Sequence, residues 1–393
     1  MKRGILTINA GSSSIKFALF PLAQQISPNA EVYGQIDGIG TANTKLIAKN
    51  TSGERIADQI LSGDQVSHAH SFDALLQWFT SSHQDWEIIA VGHRVVHGGD
   101  RYSQPTLIDP EVLGHLKSFI PLAPLHQPHN VSGINALQTL LPGVPQIACF
   151  DTAFHRSQPK VAETFGLPRA LTDEGIKRYG FHGLSYEFIA RALPEHTKNP
   201  EGRFIVAHLG NGASMAAMVD RKCRASTLGF STIDGLLMGT RCGNLDPGVV
   251  LHLMETKHYS IQDMTRILYK ESGLLGVSGI SQDMRTLLAS DQPEAEEAVN
   301  LFCYRIVREI GSLAAAAGGV DGIVFTGGIG EHAAEVRRRV CEQLGWLGAH
   351  LDLEANANDE IHIGATQSSV ELLVIPTNEE LMMALHVQNL LDL

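Results

Sequence analysis

The sequence predicts an α/β protein, with an internal echo that fits either two related domains or two tight hairpins that merely look alike. Short apolar runs rich in β-branched residues alternate with stretches of helical spacing along the whole chain. Two segments, ILTINAGSSSIKFALF (5–20) and FIVAHLGNGASMAAMV (204–219), share one plan of apolar strand, polar residue, small-residue turn and apolar strand. In register, Gly11 falls opposite Gly210 and Ser12 opposite Asn211. Doubling of such a unit is expected where two related domains face each other across a cleft.

Taken in order, strands are expected at 4–8 and 15–20, followed by a helix over 72–79. Buried strands are expected at 87–92 and 145–150, with a helix over 131–140 between them. A helix starts in the segment 181–193, and strands at 203–208 and 213–219 flank a tight turn. Apolar residues recur at helical spacing over 295–317, which predicts a long amphipathic helix. A strand at 322–325, a helix over 333–345, a last strand at 370–376 and a last helix over 379–391 complete the pattern.

Composition narrows the function. The 393 residues carry 30 Lys and Arg against 42 Asp and Glu, a formal charge of −12, so a general nucleic-acid binder is not expected. Nucleotide binding needs only a few local cations and stays open. The apolar stretch near the start breaks at Asn9, too early for a signal-peptide core. The run 310–320 holds three glycines and a serine, too interrupted to span a bilayer. Five widely spaced cysteines with no C-x-x-C pair point to reduced thiols and a cytoplasmic protein.

Three turns invite phosphate. Asn9-Ala10-Gly11-Ser12-Ser13-Ser14-x-Lys16 offers backbone N–H groups, hydroxyls and a cation, without being a Walker loop. His208-Leu209-Gly210-Asn211-Gly212 follows a strand. Thr326-Gly327-Gly328-Ile329-Gly330-Glu331 is expected as a turn between a strand and a helix, which places helix N–H groups near a ligand. Arg94 and Asp151 are each expected just after a buried strand, where open α/β sheets bind ligands. With His126, His182, Arg241 and Glu379 they supply cations, acids and imidazoles suited to phosphoryl transfer. The histidine spacings at His68 and His70, His93 and His97, and His126 and His129 lack H-E-x-x-H, so structural zinc is disfavoured. Magnesium held by oxygens of Asn9, Asp151 and Glu379 with water fits better.

Together these segments resemble one family, the acetate kinases with their propionate and butyrate kinase relatives. NAGSSSIKF, GHRVVHGGD, PLAPLH, FDTAFH, RYGFHG, AHLGNGAS, GLLMGTR, KESGLLG, FTGGIGE and IPTNEE occur in the family's order from Asn9 to Glu380. The resemblance implies two ribonuclease-H-like domains of the actin and sugar-kinase superfamily flanking a nucleotide cleft. It places residues 1–151 and 380–393 in one domain, and 152–379 in a second domain with the adenosine site and the dimer interface. It implies ATP- and magnesium-dependent phosphorylation of acetate, with manganese able to substitute, ATP and ADP as co-substrates, and a homodimer. Residue by residue, it implies that Ser12, Ser14 and Lys16 form the first phosphate loop, and that Asn9 and Glu379 serve the metal. Arg94, Arg241, Asp151, His126 and His182 would be catalytic. His208, Leu209, Gly210, Asn211 and Gly212, then Asp283, Met284 and Arg285, then Gly327, Gly328, Ile329, Gly330 and Glu331 would contact the nucleotide. Arg94, Val96, Leu125, Phe181 and Thr232 would enclose the acyl group.

The sequence also departs from the family's usual pattern. Leu184 and Tyr186 replace a threonine and a histidine after Gly183, Ala225 replaces an aspartate, Thr232 a proline, and Asn244 an aspartate. A propionate or butyrate kinase is the alternative reading. A sugar or polyol kinase, using Asp151 as base, and a non-enzymatic nucleotide switch are the more remote ones.

Overall fold

The structure, a computed structural model, describes residues 1–11, 13–61 and 66–393. The chain forms two compact units, residues 1–153 with 378–393, and residues 154–377.

The first unit is built on an eight-stranded sheet in the order β5-β4-β3-β2-β1-β6-β8-β7. Its strands are β1 (Lys2–Ala10), β2 (Ser14–Pro21), β3 (Val32–Asp37), β4 (Lys45–Asn50), β5 (Arg55–Ile60), β6 (Trp86–Val95), β7 (Thr106–Leu107) and β8 (Gln146–Phe150). Strands β1 to β5 pair antiparallel in sequence, whereas β6 and β8 add in parallel beside β1. Ile15, Phe17 and Leu19 of β2 alternate into a core with Ile36, Leu46 and Ala48. Helix α1 (His68–Ser82) lays Phe72, Leu75, Leu76 and Phe79 on that core at helical spacing, and Ser67 caps it by accepting from the N–H of His70. Helix α2 (Gln127–Leu140) packs beside α1.

The second unit carries a five-stranded sheet in the order β11-β10-β9-β12-β13. Here β9 (Arg203–Leu209), β10 (Ala213–Val219) and β11 (Lys222–Ser226) are antiparallel, while β12 (Gly322–Thr326) and β13 (Glu371–Val374) continue in parallel from β9. Its helices include α3 (Gly183–His196), α4 (Pro247–Thr256), α5 (Pro293–Ala317), α6 (Gly327–His332) and α7 (Ala334–Cys341). Helix α5 buries one stripe from Ala295 through Phe302 and Ile306 to Ala314 and ends at the left-handed Gly318. The chain then returns to the first unit as α8 (Glu379–Leu391), which lies on β1, β2 and β6.

Without its extra edge strands, the first sheet reads β3-β2-β1-β6-β8, the same antiparallel-then-parallel plan as β11-β10-β9-β12-β13. The internal echo therefore falls on equivalent hairpins, β1–β2 and β9–β10. Two expectations are corrected. Arg94 lies inside β6, because the parallel ladder to β8 runs on through Arg94 and Val95. The Gly327–Glu331 segment is not a turn ahead of a helix. It is itself wound into α6, whose first N–H, that of Gly327, donates to the Glu331 carboxylate at 2.8 Å.

Candidate active site

In the first unit the candidate residues gather around one guanidinium. Asp151 follows β8 and is buried. Arg94 Nε donates to both Asp151 oxygens at 3.0 Å, and its Nη2 donates to Oδ2. Arg94 Nη1 donates to Asn9 Oδ1 at 3.0 Å, and Nε lies 3.9 Å from Glu379 Oε2. Burial alone would weaken the Arg94 cation. The charges of Asp151 and then Glu379 outweigh it, so the guanidinium is held charged beyond its ordinary range. Next to Glu379, Glu380 is raised above the usual carboxylate range, by burial first and by Glu379 second.

Asn130 of α2 fixes this corner. Its Nδ2 donates to the Ala10 carbonyl at 2.9 Å, and its Oδ1 accepts from the Val96 N–H at 3.0 Å, which ties the ends of β1 and β6 together. His68 holds the hairpin turn through a contact of 2.7 Å from Nε2 to the Gly11 carbonyl, and its ring stacks on His129. Ser14 opens β2 and its carbonyl accepts from Gly11. Ser12 lies outside the described residues. Lys16 pairs across the ladder with Asn9 and lines a cavity of about 600 Å³ with Tyr33, Gln35, Lys49, Asn378 and Glu380. Leu125 and His126 sit on the turn into α2, where His126 is the residue before the helix.

In the second unit another set converges on the β9–β10 turn. Gly210 and Gly212 close it through an N–H···O contact of 3.1 Å. A methyl group built on Gly212 would lie 3.5 Å from His182 Nε2 and 3.7 Å from Arg241 Nη1, so the turn is bordered by both side chains. The Asn211 carbonyl accepts from the Gly239 N–H, which joins the turn to Met238-Gly239-Thr240-Arg241. Arg241 Nη1 donates to the Thr232 carbonyl at 3.1 Å. The rings of His182 and His208 stack with centroids 4.4 Å apart. Leu209 is buried under Gly327, whose φ of +75° no side chain would share comfortably and whose Cβ position meets the Leu209 carbonyl.

His182 itself stands in the left-handed region at φ 57°, just before α3. Strain of that kind persists only where neighbours impose it. His155 is one such neighbour: its Nε2–H donates to the Phe181 carbonyl at 2.8 Å, and Nδ1 contacts Cys223 Sγ at 3.1 Å. Its ring covers Gly180, where an added Cβ would come within 2.5 Å. Burial pushes the His155 pKa down to about 4, against the pull of the Phe181 carbonyl, so the ring is neutral at pH 7. Phe181 and Thr232 are buried.

Other expected residues are placed separately. Asp283 caps the short helix Met284–Leu288 and pairs with Arg285, whose side chain is 91% exposed, while Met284 is buried. Glu331 accepts from the N–H groups of Gly327 and Thr377. Behind α6, fully buried Arg337 donates to the carbonyls of Gly330 and Glu331 and to Asn356. Sequence reasoning missed Arg337 because it opens an Arg-Arg-Arg run that reads as a solvated face. It missed Asn130 because no motif marks a lone helical asparagine.

The profile of the Acetokinase family matches residues 4–385. The chain belongs to the acetokinase family. An acetate kinase of Rhodopseudomonas palustris is 54% identical over 394 residues, covering 99% of this chain and 98% of its own. An acetate kinase of Methylocella silvestris is 48% identical over 402 residues, covering 100% and 99%. Among solved structures, a propionate kinase from Francisella tularensis superposes with a TM-score of 0.91 at 37% identity, covering 98% of this chain and 99% of its own. Acetate kinase from Porphyromonas gingivalis gives 0.88 at 35%, covering 99% and 100%. The α/β fold with two sheets that the sequence leads one to expect is thus the fold of the family.

Proposed function

We propose that the protein phosphorylates acetate on a carboxylate oxygen, with ATP as donor, giving acetyl phosphate and ADP reversibly. The observation that carries this reading is the Arg94–Asp151 clamp. Both Asp151 oxygens are already engaged by Arg94, so this acid orients a cation and is badly placed to take a proton from a hydroxyl. A carboxylate acceptor needs no such base, since a free carboxylic acid with a pKa near ~4–5 is ionised at neutral pH. Its oxygen attacks the γ-phosphorus in line, the bond to the β,γ-bridging oxygen breaks, and ADP leaves with the electron pair.

On this reading Arg94 binds and orients the acyl carboxylate, and Arg241 meets charge on the transferring phosphoryl group. His182 donates to an equatorial oxygen, and the Gly210–Gly212 backbone cradles phosphate. His126 is assigned to the acyl side. Val96, Leu125, Phe181 and Thr232 are assigned to the acyl pocket, and Asp283, Met284, Arg285 and Gly327 to Glu331 to the nucleoside. Asn9 and Glu379 are oxygen donors suited to magnesium or manganese, which would neutralise phosphate charge when bound. No three metal-ligating His, Cys, Asp or Glu side chains converge among the described residues. Magnesium takes most of its ligands from water and substrate phosphates, so one or two protein oxygens such as those of Asn9 and Glu379 would be enough to hold it.

A homodimer fits the second unit. Helix α4 buries none of its residues, and Leu251 and nearby Ile261 are 65% and 69% exposed. No helix among the described residues is long and apolar enough to cross a membrane. Propionate is the second reading, favoured by the likeness to the Francisella protein. The test is a hydroxylamine trap for acyl phosphate with acetate, propionate and butyrate side by side, and glycerol and hexoses as controls. Hydroxamate from acetate supports the proposal. Phosphorylated glycerol or hexose without hydroxamate overturns it.

A further inference from the structure

We infer that Tyr186, acting through Ser214, is a positioning residue that holds His182 as the tautomer carrying its proton on Nε2. The inference rests on the role proposed above for His182. Tyr186 lies one turn after His182 in α3, and its N–H donates to the His182 carbonyl at 3.1 Å. Ser214 lies on β10, directly across the ladder from His208. The Tyr186 hydroxyl is 2.5 Å from Ser214 Oγ, and Ser214 Oγ is 2.8 Å from His182 Nδ1. Tyr186 and Ser214 are completely buried.

Proton counting selects one direction for this chain. Each hydroxyl has one proton to give, and a neutral imidazole carries one N–H. If Tyr186 donates to Ser214 and Ser214 donates to Nδ1, every proton in the relay is used, and the imidazole proton sits on Nε2. If instead Nδ1–H donates to Ser214 and Ser214 donates to Tyr186, the phenol proton needs another acceptor. Among the described residues, the Tyr186 hydroxyl has no hydrogen-bond contact besides Ser214. If both neighbours donate to Ser214, the buried serine proton is the one left over. Leaving such a proton unsatisfied is costly, so the first arrangement prevails. Burial pushes the phenol well above its ordinary range, against the Ser214 hydrogen bond, which keeps Tyr186 a donor.

The consequence falls on the β9–β10 turn. Nε2 is the His182 atom that borders Gly212. Carrying the proton, it offers a phosphoryl oxygen a donor. In the other tautomer it offers a lone pair, which would repel that oxygen. Ring contacts with Phe154 and His155 hold the Tyr186 ring, so the hydroxyl is presented from a fixed plane. The resemblance puts a histidine at this position in the family's usual pattern, and this chain carries Tyr186 there instead.

The test is Tyr186→Phe, which keeps the ring and removes only the hydroxyl, together with Ser214→Ala and the double variant. Nitrogen chemical shifts of isotope-labelled His182 report the tautomer without reference to activity, with His182→Gln identifying the signal. The wild type should show a protonated Nε2 and a bare Nδ1, and both single variants a mixture. Turnover should fall about 10–100-fold, short of the ~10⁴-fold seen when a catalytic histidine is locked in its wrong tautomer. KM for acetate and ATP should stay within about twofold, and the double variant should be no worse than the weaker single one. An unchanged tautomer in Tyr186→Phe, a bare Nε2 in the wild type, or additive losses would overturn the inference. If Tyr186→Phe does not fold, the wild-type spectrum and Ser214→Ala decide. If the wild type makes no acyl phosphate, the proposed function fails, while the spectrum still judges the relay.

Discussion

The ends of β1 and β9 occupy equivalent places in two copies of one sheet plan, yet their side chains are fixed by opposite means. At the end of β1, charge does the work: Arg94 is gripped by Asp151, with Asn9 and Glu379 beside it. At the end of β9, hydrogen bonds and space do it: Ser214 and Tyr186 orient His182, His155 props the preceding carbonyl, and glycines leave the turn open. A buried ion pair ties function to stability, because removing either partner strands a charge. A hydrogen-bonded relay sets where a proton sits, and its loss need not unfold anything.

The sharpest way to break this contrast is to remove the two arginines. Arg94→Ala and Arg241→Ala should each lower turnover by ~10³-fold or more, the range for an arginine meeting phosphoryl charge. Their stabilities should differ. Arg94→Ala leaves Asp151 buried without its main partner, a loss on the order of 3–5 kcal/mol. Arg241 Nη1 reaches neutral acceptors, the Thr232 carbonyl at 3.1 Å and Met238 Sδ at 3.7 Å, so Arg241→Ala strands no charge at those atoms and should cost less stability. Thermal melts beside kinetics check this; equal shifts in Tm would erase the distinction.

Next in size is Gly212→Ala. The added methyl meets His182 and Arg241 at ordinary contact distances, so Tm should hold. It would occupy space assigned to phosphate, and displacement there by an ångström costs ~10²-fold in turnover. A variant as active as the wild type would remove this turn from the site.

Acid should destabilise both units alike through two buried histidines. Burial lowers His93 to about 4 despite its hydrogen bond to Gln146, and His155 to about 4 likewise. A depressed folded-state value means that the unfolded chain takes up protons first as pH falls below about 6.5, so the stability present at neutral pH is lost towards pH 4. At pH 5 each contributes a loss of roughly 2 kcal/mol relative to pH 7. Denaturant melts across that range should show it, and His155→Gln should flatten part of the slope. A slope unchanged in that variant would contradict the assignment.

The smallest effect concerns the acyl end. One methylene in an apolar pocket is worth roughly 10–200-fold in kcat/KM. With Thr232 where the family usually has proline, acetate should exceed propionate by the low end of that range. Thr232→Pro should widen the ratio and Val96→Ala should narrow it. Ratios that ignore both substitutions would remove these positions from the pocket.

How much of this was legible in the sequence depended on period and on company. Helix α1 was readable because Phe72, Leu75, Leu76 and Phe79 repeat at helical spacing. Strands β3 to β5 escaped notice because their outward faces carry Tyr33, Gln35, Lys45, Lys49 and Arg55, which thin the apolar signal to one residue in two or fewer. The Gly-rich motifs were visible as motifs, but winding of Gly327–Glu331 into a helix depends on the Glu331 carboxylate turning back to Gly327. Arg94 and Asp151 stood out singly, while their bidentate pairing across 57 residues needed the sheet that sets β6 beside β8. The Tyr186 relay was hidden for the same reason. Its middle member, Ser214, lies on β10, away from the α3 segment that carries His182 and Tyr186, and looks like any buried serine.

The claim beneath all of these is that an ionised carboxylate is itself the nucleophile and that the site is built of cations because no base is required. Acetate labelled with heavy oxygen in both carboxylate positions tests it directly. Turnover with ATP should yield acetyl phosphate that keeps both labels, one of them in the bridge to phosphorus, with one ADP for each product. ATP consumed to give unlabelled inorganic phosphate, with no labelled acyl phosphate formed, would contradict the account.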